Sequence, residues 1–299
     1  MKKRLMAAVA VATASLIALG GCTAGSSSSA KADNGDKKDI SMVVVQGWAE
    51  DAAVSEIWKQ VLDKRGYDVQ FKSLAVGPTY ASLAKGELDI NMDAWLPTSQ
   101  AAYWKKYGKH LDDLGAWYKY APETIAVNKS APIDSLSELA ANADKFDNEI
   151  IGIEAGTGEM QVVQDDLVPA YGLQKMKVVT SSSTAMLAAL KKAVTEHKNI
   201  VVTLWRPHWA YAAFPIKDLK DPKHAWGKAN HIDTVVRKGF TSDYPTLTKW
   251  LKNFRFPPKL LSDLENKMFN SGAKPDQYPA IVKKWLAAHP SFTKSLTQG

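Results

Sequence analysis

The sequence is poor in the residues that build covalent or metal-held frameworks. It has one cysteine, Cys22, so no disulfide can form within the chain. Its six histidines are not clustered at ligand spacing, and no metal site is expected. Catalytic signatures are missing as well: there is no Gly-x-Ser-x-Gly, no His-Glu-x-x-His and no Walker loop. His197, His208, His224 and Glu159 carry acid–base chemistry, but no motif joins them to a nucleophile. An enzyme is therefore not expected, and no cofactor is implied. A basic stripe is absent too. The formal charge is +7, the lysines are scattered, and nucleic acid is not an expected partner. Beyond residue 19 no run is apolar enough to span a bilayer.

What the N-terminus does contain is a leader pattern. Met1-Lys2-Lys3-Arg4 precedes an apolar stretch from Leu5 to Leu19, and Gly20-Gly21-Cys22 follows. Basic, apolar and small-residue regions in that order read as a secretory signal over residues 1–21. Leu19-Gly20-Gly21-Cys22 resembles a bacterial lipobox, which implies that Cys22 becomes a lipid-modified N-terminus held at the extracytoplasmic face of the cell membrane. Loss of Lys2, Lys3 and Arg4 with the leader lowers the charge by three, to +4. Residues 23–39 are small, polar and free of aromatics, so 22–39 is expected to be a lipidated flexible tether. The roughly 260 residues that follow are enough for one large or two ordinary domains.

From residue 40 strand and helix signals alternate, which argues for an α/β fold. Ile40–Val45, Tyr67–Leu74 and Leu88–Met92 read as strands, with helices over Ala49–Arg65 and Thr79–Lys85 between them. The first helix has Val54, Ile57, Trp58, Val61 and Leu62 on one face. The pattern returns with strands at Glu149–Ile153, Met176–Thr180 and Ile200–Thr203, and helices from Met160 and over Ser183–Val194. Two matching α/β units predict two lobes facing across a cleft. Chain crossings are expected near Tyr118–Asn128 and Asp233–Gly239. That gives one lobe from 40–122 with 236–299 and another from 123–235. The C-terminal part reads as helices over Thr246–Phe254, Pro258–Ser271 and Asp276–His289.

Three tryptophans fall just past strand-like runs: Trp48 in VVVQGW, Trp95 in LDINMDAW and Trp205 in NIVVTLW. Loops at the carboxyl ends of strands are where open α/β sheets bind ligands. Converging indole faces attract an organic cation, by roughly 2 kcal/mol or more each once water is excluded. Tyr80 and Trp209 are candidate extra walls. Trp58, Trp104, Trp250 and Trp285 lie within helical patterns and read as core, while Trp117 and Trp226 are undecided. The fourth strand-end loop has Gly156-Thr157-Gly158-Glu159 at a helix start instead, and the backbone N–H groups of Gly158 and Glu159 suit an anion. An aromatic cage facing an amide nest asks for a small zwitterion with a methylated ammonium at one end and a carboxylate at the other. Asp93, beside Trp95, is placed either to tune the cation or to cap its loop, and the cap is the favoured reading.

These residues carry a resemblance. Gly47-Trp48-Ala49-Glu50, Gly77-Pro78-Thr79-Tyr80, Asp93-Ala94-Trp95-Leu96-Pro97, Ile151 through Met160 and Trp205-Arg206-Pro207-His208-Trp209 look like the substrate-binding protein of bacterial ABC-type glycine betaine transporters, over roughly residues 40–290. The resemblance implies a type II periplasmic-binding-protein-like fold with its cleft between two lobes. It implies a betaine as ligand and transporter permease and ATPase subunits as partners. It places the trimethylammonium head between Trp48, Trp95 and Trp205, and the carboxylate on the amides of Gly158 and Glu159. Some relatives have a histidine after the Trp-Leu-Pro motif that also donates to the carboxylate; Gln100 stands there in this sequence, a donor without charge. Choline, carnitine and proline betaine are alternative ligands of the same fold. An exported enzyme acting on methylated amines is the alternative from another class.

Overall fold

The computed structural model describes residues 34–298. The expected leader over 1–21, Cys22 and most of the expected tether lie outside the described residues. The last part of that tether, from Asn34, is docked on the body. The buried Asp36 carboxylate accepts from the N–H groups of Thr246 and Leu247 at 3.0 and 2.9 Å and from the Tyr67 hydroxyl at 2.8 Å. Those two N–H groups belong to the first turn of the Pro245–Asn253 helix, which has no acceptor of its own for them. The expectation of a free tether up to residue 39 is corrected on this point. Composition alone missed the one acidic residue that caps a distant helix.

Two five-stranded mixed sheets organise the described residues. The first holds β1 (Asp39–Val44), β2 (Asp68–Ser73), β3 (Ile90–Leu96), β4 (Leu111–Ala121) and β10 (Asn230–Arg237), in the order β2-β1-β3-β10-β4. The second holds β5 (Glu123–Asn128), β6 (Glu149–Ile151), β7 (Lys177–Val179), β8 (Val201–Trp205) and β9 (Ile216–Asp218), in the order β7-β6-β8-β5-β9. In each, three parallel strands are followed by an antiparallel one: β10 against β3, and β5 against β8. The repeat read from the sequence is therefore a repeat of topology. Helices Ala49–Asp63 and Val76–Lys85 join the parallel strands of the first sheet, and Ser183–Thr195 joins β7 to β8. The Ala49–Asp63 helix buries Val54, Ile57, Trp58, Val61 and Leu62, the i, i+3, i+4, i+7, i+8 stripe of a helix laid on a sheet.

The chain passes from the first sheet to the second at Pro122, between β4 and β5. It returns between Asp218 and Asn230, earlier than the expected crossing at Asp233–Gly239. Those residues are instead largely β10, hydrogen bonded between β3 and β4. The long strand β4 was not expected as a strand. Its register against β10 shifts repeatedly, so its burial never alternates cleanly. The tryptophans also sit differently from the expectation. β3 runs on through Leu96 and β8 through Trp205, so only Trp48 is a loop residue.

Candidate functional site

Local structure delivers the three indoles to one point. Gly47 has φ 93°, a left-handed turn that a side chain resists, and its Cα lies against Ser183 of the second sheet's side. The turn ends at Trp48, the cap residue of the Ala49–Asp63 helix. Trp95 comes from β3 and Trp205 from the last position of β8. The Trp48 and Trp205 ring centroids are 6.1 Å apart with the planes at 49°, and those of Trp95 and Trp205 are 6.5 Å apart and edge-to-face at 87°. Trp205 is thus the shared member. His208 packs edge-on to it at 4.8 Å. The cis peptides Leu96–Pro97 and Arg206–Pro207 follow Trp95 and Trp205 at the same position in each half.

The rest of the lining is made by Ser99 and Gln100 after β3, by Ile153, Thr157, Gly158 and Glu159 after β6, and by Glu50 and Glu123. Thr157 is the cap of the helix that starts at Gly158, its hydroxyl accepting from the Met160 N–H at 3.3 Å. The N–H groups of Gly158 and Glu159 lie in the first turn and have no intrahelical acceptor. The two sides are closed upon one another. The Tyr103 hydroxyl donates to the Gly156 carbonyl at 2.8 Å, and the Ser99 hydroxyl donates to the Glu123 carboxylate. Gly158 rests so tightly on the Ser99 carbonyl that a Cβ there would stand 1.5 Å from its oxygen. In this arrangement the cavity between them is about 20 Å³, partly open to solvent and with room for about one water molecule. A trimethylammonium group is larger, so the indoles and the rest of the lining must part to admit one. Outside Trp48 a wider cleft of about 590 Å³ runs between the two sides, past Gly77, Tyr103 and Gly156.

The electrostatics of the cavity are one-sided: Glu50, Glu123 and Glu159 line it, with no lysine, arginine or histidine. Burial holds all three above the usual carboxylate range. Glu50 is pushed up to about 8, with Asp51 adding to the effect, and Glu123 to about 7. Glu159 is raised by burial and then by repulsion from Glu123, Glu154 and Glu50. His208 is buried and pushed down to about 3, so it is a neutral wall for Trp205 and not a base.

The structure brings Trp48, Trp95, Trp205, Gln100, Gly158 and Glu159 to this one cavity. Tyr80 and Trp209 stand a layer behind. The Tyr80 hydroxyl donates to the Gln100 side-chain oxygen at 2.8 Å, and Trp209 stacks on His208 at 5.7 Å. Asp93 does not cap a loop: it lies inside β3, buried, and accepts from the Trp95 indole N–H at 3.1 Å. Sequence reasoning did not foresee Ser99 and Glu123, nor the side chains of Glu50 and Glu159, on the wall. Glu50 sits beside Asp51 in the first turn of a helix, where acidic residues ordinarily complement the helix dipole, and that masked it. Among the described residues no cluster of histidine, cysteine and carboxylate side chains is arranged to hold a metal ion. No helix among them is long and apolar enough to cross a membrane.

The chain belongs to the family of substrate-binding domains of ABC-type glycine betaine transport systems, whose match runs over residues 39–288. The glycine betaine/carnitine transport binding protein GbuC of Listeria monocytogenes is 34% identical over 171 residues, 56% of this chain and 54% of that protein. The chain thus spans about half the length of that relative. Lactococcal OpuAC, solved in a closed form with glycine betaine, is 31% identical with a TM-score of 0.80 over 88% of this chain and 100% of that one. An ABC-transporter choline-binding protein solved with choline is 28% identical, with a TM-score of 0.77 over 86% of this chain and 91% of that one. The two-sheet α/β architecture is that of type II periplasmic binding proteins.

Proposed function

We propose that this protein is the extracytoplasmic receptor of an ABC importer, anchored through a lipid on Cys22, and that it binds a small quaternary ammonium compound, glycine betaine first, for osmoprotective uptake. The observation that carries the reading is the meeting of Trp48, Trp95 and Trp205 at one cavity that Gly158 and Glu159, first residues of a helix, also line. In this reading the indoles hold the trimethylammonium head by its charge. The amides receive the carboxylate. Glu159 and the protonated form of Glu123, both favoured by burial, are further donors to it, and Gln100 supplies a neutral one. Each sheet is the core of one lobe, the lobes changing at Pro122 and between β9 and β10. The closed form, with ligand bridging both, is what the permease and its ATPase recognise.

A second reading has an observation of its own. Three glutamates and no basic side chain line the cavity, which favours a ligand with net positive charge, such as choline. Calorimetry with glycine betaine, choline, carnitine and proline betaine separates the two. Glycine betaine is expected to bind more tightly than choline, because only it uses both walls. Choline binding as tightly or more tightly would transfer the assignment to the second reading. Binding of none of the four would remove the quaternary-ammonium reading altogether.

A further inference from the structure

Behind the tryptophans lies a layer of carboxylates for which the proposed ligand contacts have no use. Glu50 comes from the first turn of the Ala49–Asp63 helix, Asp93 from β3 and Glu265 from the end of the Pro258–Glu265 helix. They are 0%, 1% and 0% exposed. Oδ2 of Asp93 has no hydrogen-bond partner, and neither oxygen of Glu50 or Glu265 has one of good geometry; the Trp205 side chain beside Glu50 and the Trp209 backbone beside Glu265 give each a contact that favours the ionised form but does not outweigh burial. The remaining one, Asp93 Oδ1, takes the Trp95 indole N–H. Glu50 is itself part of the cavity wall beside the indoles.

The charged groups that act on these three are other acids. Asp51, next on the same helix, accepts from the Val45 N–H at 2.7 Å and the Ser55 hydroxyl at 3.0 Å. Glu159 faces Glu50 from the second sheet's side, and Glu50 in turn acts on Asp93 and Glu265. His208, packed on Trp205, is neutral. No lysine or arginine acts on any of the three to a comparable degree. An ionised carboxylate buried without a partner is costly, and it escapes that cost by holding a proton. A quaternary ammonium changes the balance. It brings a charge next to Glu50 that it cannot itself shed, because its nitrogen carries no proton.

We propose that Glu50, Asp93 and Glu265 are a proton-exchanging counter-charge for the ligand's ammonium head: they hold protons in the free protein and release about one to solvent as the cation enters. The carboxyl O–H bond breaks, the proton goes to buffer, and nothing is oxidised or reduced. The inference rests on the quaternary-ammonium reading of the cage and deepens it. The layer selects a permanent cation over a neutral group of the same shape. Burial already places Glu50 at about 8, and mutual repulsion keeps the three from ionising together. The sign of the pH effect follows. The cation binds the ionised layer, ionisation grows with pH, and affinity rises by up to about tenfold per pH unit, levelling once pH passes the free-state value near 8.

Choline is the suitable probe, since it has no carboxylate to exchange protons with Glu123 or Glu159. Calorimetry at neutral pH in phosphate and in Tris, whose ionisation enthalpies differ, reads the proton count directly. Release of roughly half to one proton per choline is expected. Glu265→Gln should reduce that release and flatten the pH dependence, and Glu50→Gln should do so more strongly. The neutral isostere 3,3-dimethylbutan-1-ol should bind weakly with no pH dependence. Choline binding with no proton transfer, and with an affinity flat between about pH 6 and 8, would overturn the proposal; this wild-type measurement decides even if a variant fails to fold. If choline does not bind, glycine betaine is titrated in the same two buffers. Binding of neither ligand would sink the quaternary-ammonium reading, and this inference with it.

Discussion

Replacing Gly158 with Ala is expected to lower ligand affinity by at least about 100-fold while leaving the protein folded. The reason is a single steric contact. Gly158 starts the helix after β6, on the second sheet's side, and its Cα lies against the Ser99 backbone after β3, on the first. An added Cβ would stand 1.5 Å from the Ser99 oxygen and 2.2 Å from its carbonyl carbon. Both are backbone atoms and cannot swing away as a long side chain would. The φ of Gly158 is not in the left-handed region, so alanine is acceptable to the helix itself. The clash exists only while the two sides are closed, and the variant relieves it by staying apart. A ligand that bridges both walls can draw the equilibrium only as far as its preference for the closed form allows. The unfolding midpoint should stay within about 3 °C of the parent. In the parent, small-angle scattering should show a smaller radius of gyration with glycine betaine; in the variant the radius should not change. Parental affinity in Gly158→Ala would mean that closure is not needed for binding. An unchanged radius in the parent despite tight binding would argue for a preformed rigid pocket.

The repeat of two α/β units was legible because each depends on local signals. Apolar stripes at helical spacing mark the helices, and short β-branched runs mark the parallel strands. The tryptophans were legible for the same reason, standing out as large aromatics at the ends of such runs. What lay beyond reach depended on partners distant in sequence. Strand β4 is defined by its irregular pairing with β10, more than a hundred residues away, and not by an alternation of its own. Asp36 looks like any polar residue of a tether until the start of the Pro245–Asn253 helix is placed over it. The acid layer is the most instructive case. Glu265 occupies the same helical stripe as Leu261, Leu264 and Met268, and all four are buried. A glutamate on an apolar face is an anomaly that periodicity alone exposes. Glu50 and Asp93 offered no such mark, and only the convergence of a helix start, a strand and a C-terminal helix shows them to be one cluster.

The last expected result separates the cage from the core using two tryptophans that are both buried. Trp205→Ala should weaken binding of glycine betaine by about thirtyfold or more. A desolvated cation–π contact of about 2 kcal/mol accounts for that factor. Trp205 also touches both Trp48 and Trp95, so its loss frees their orientation and adds to the effect. Trp205→Phe keeps a ring in place with a weaker quadrupole and should lose less. Trp58 is the contrasting case. It lies within the Ala49–Asp63 helix, fully buried and edge-on to Phe254 at 5.4 Å. Trp58→Ala should lower stability by roughly 3–5 kcal/mol, as truncation of a buried aromatic does. The fraction that remains folded should bind as the parent does. Denaturant unfolding and calorimetry on the same three variants give both quantities. If Trp58→Ala weakened binding as much as Trp205→Ala with stability intact, the division between cage and core would be wrong. A Trp205→Ala protein that folds and binds at parental strength would remove the cage itself, because the indole in contact with both of the others would then contribute nothing to holding the cation.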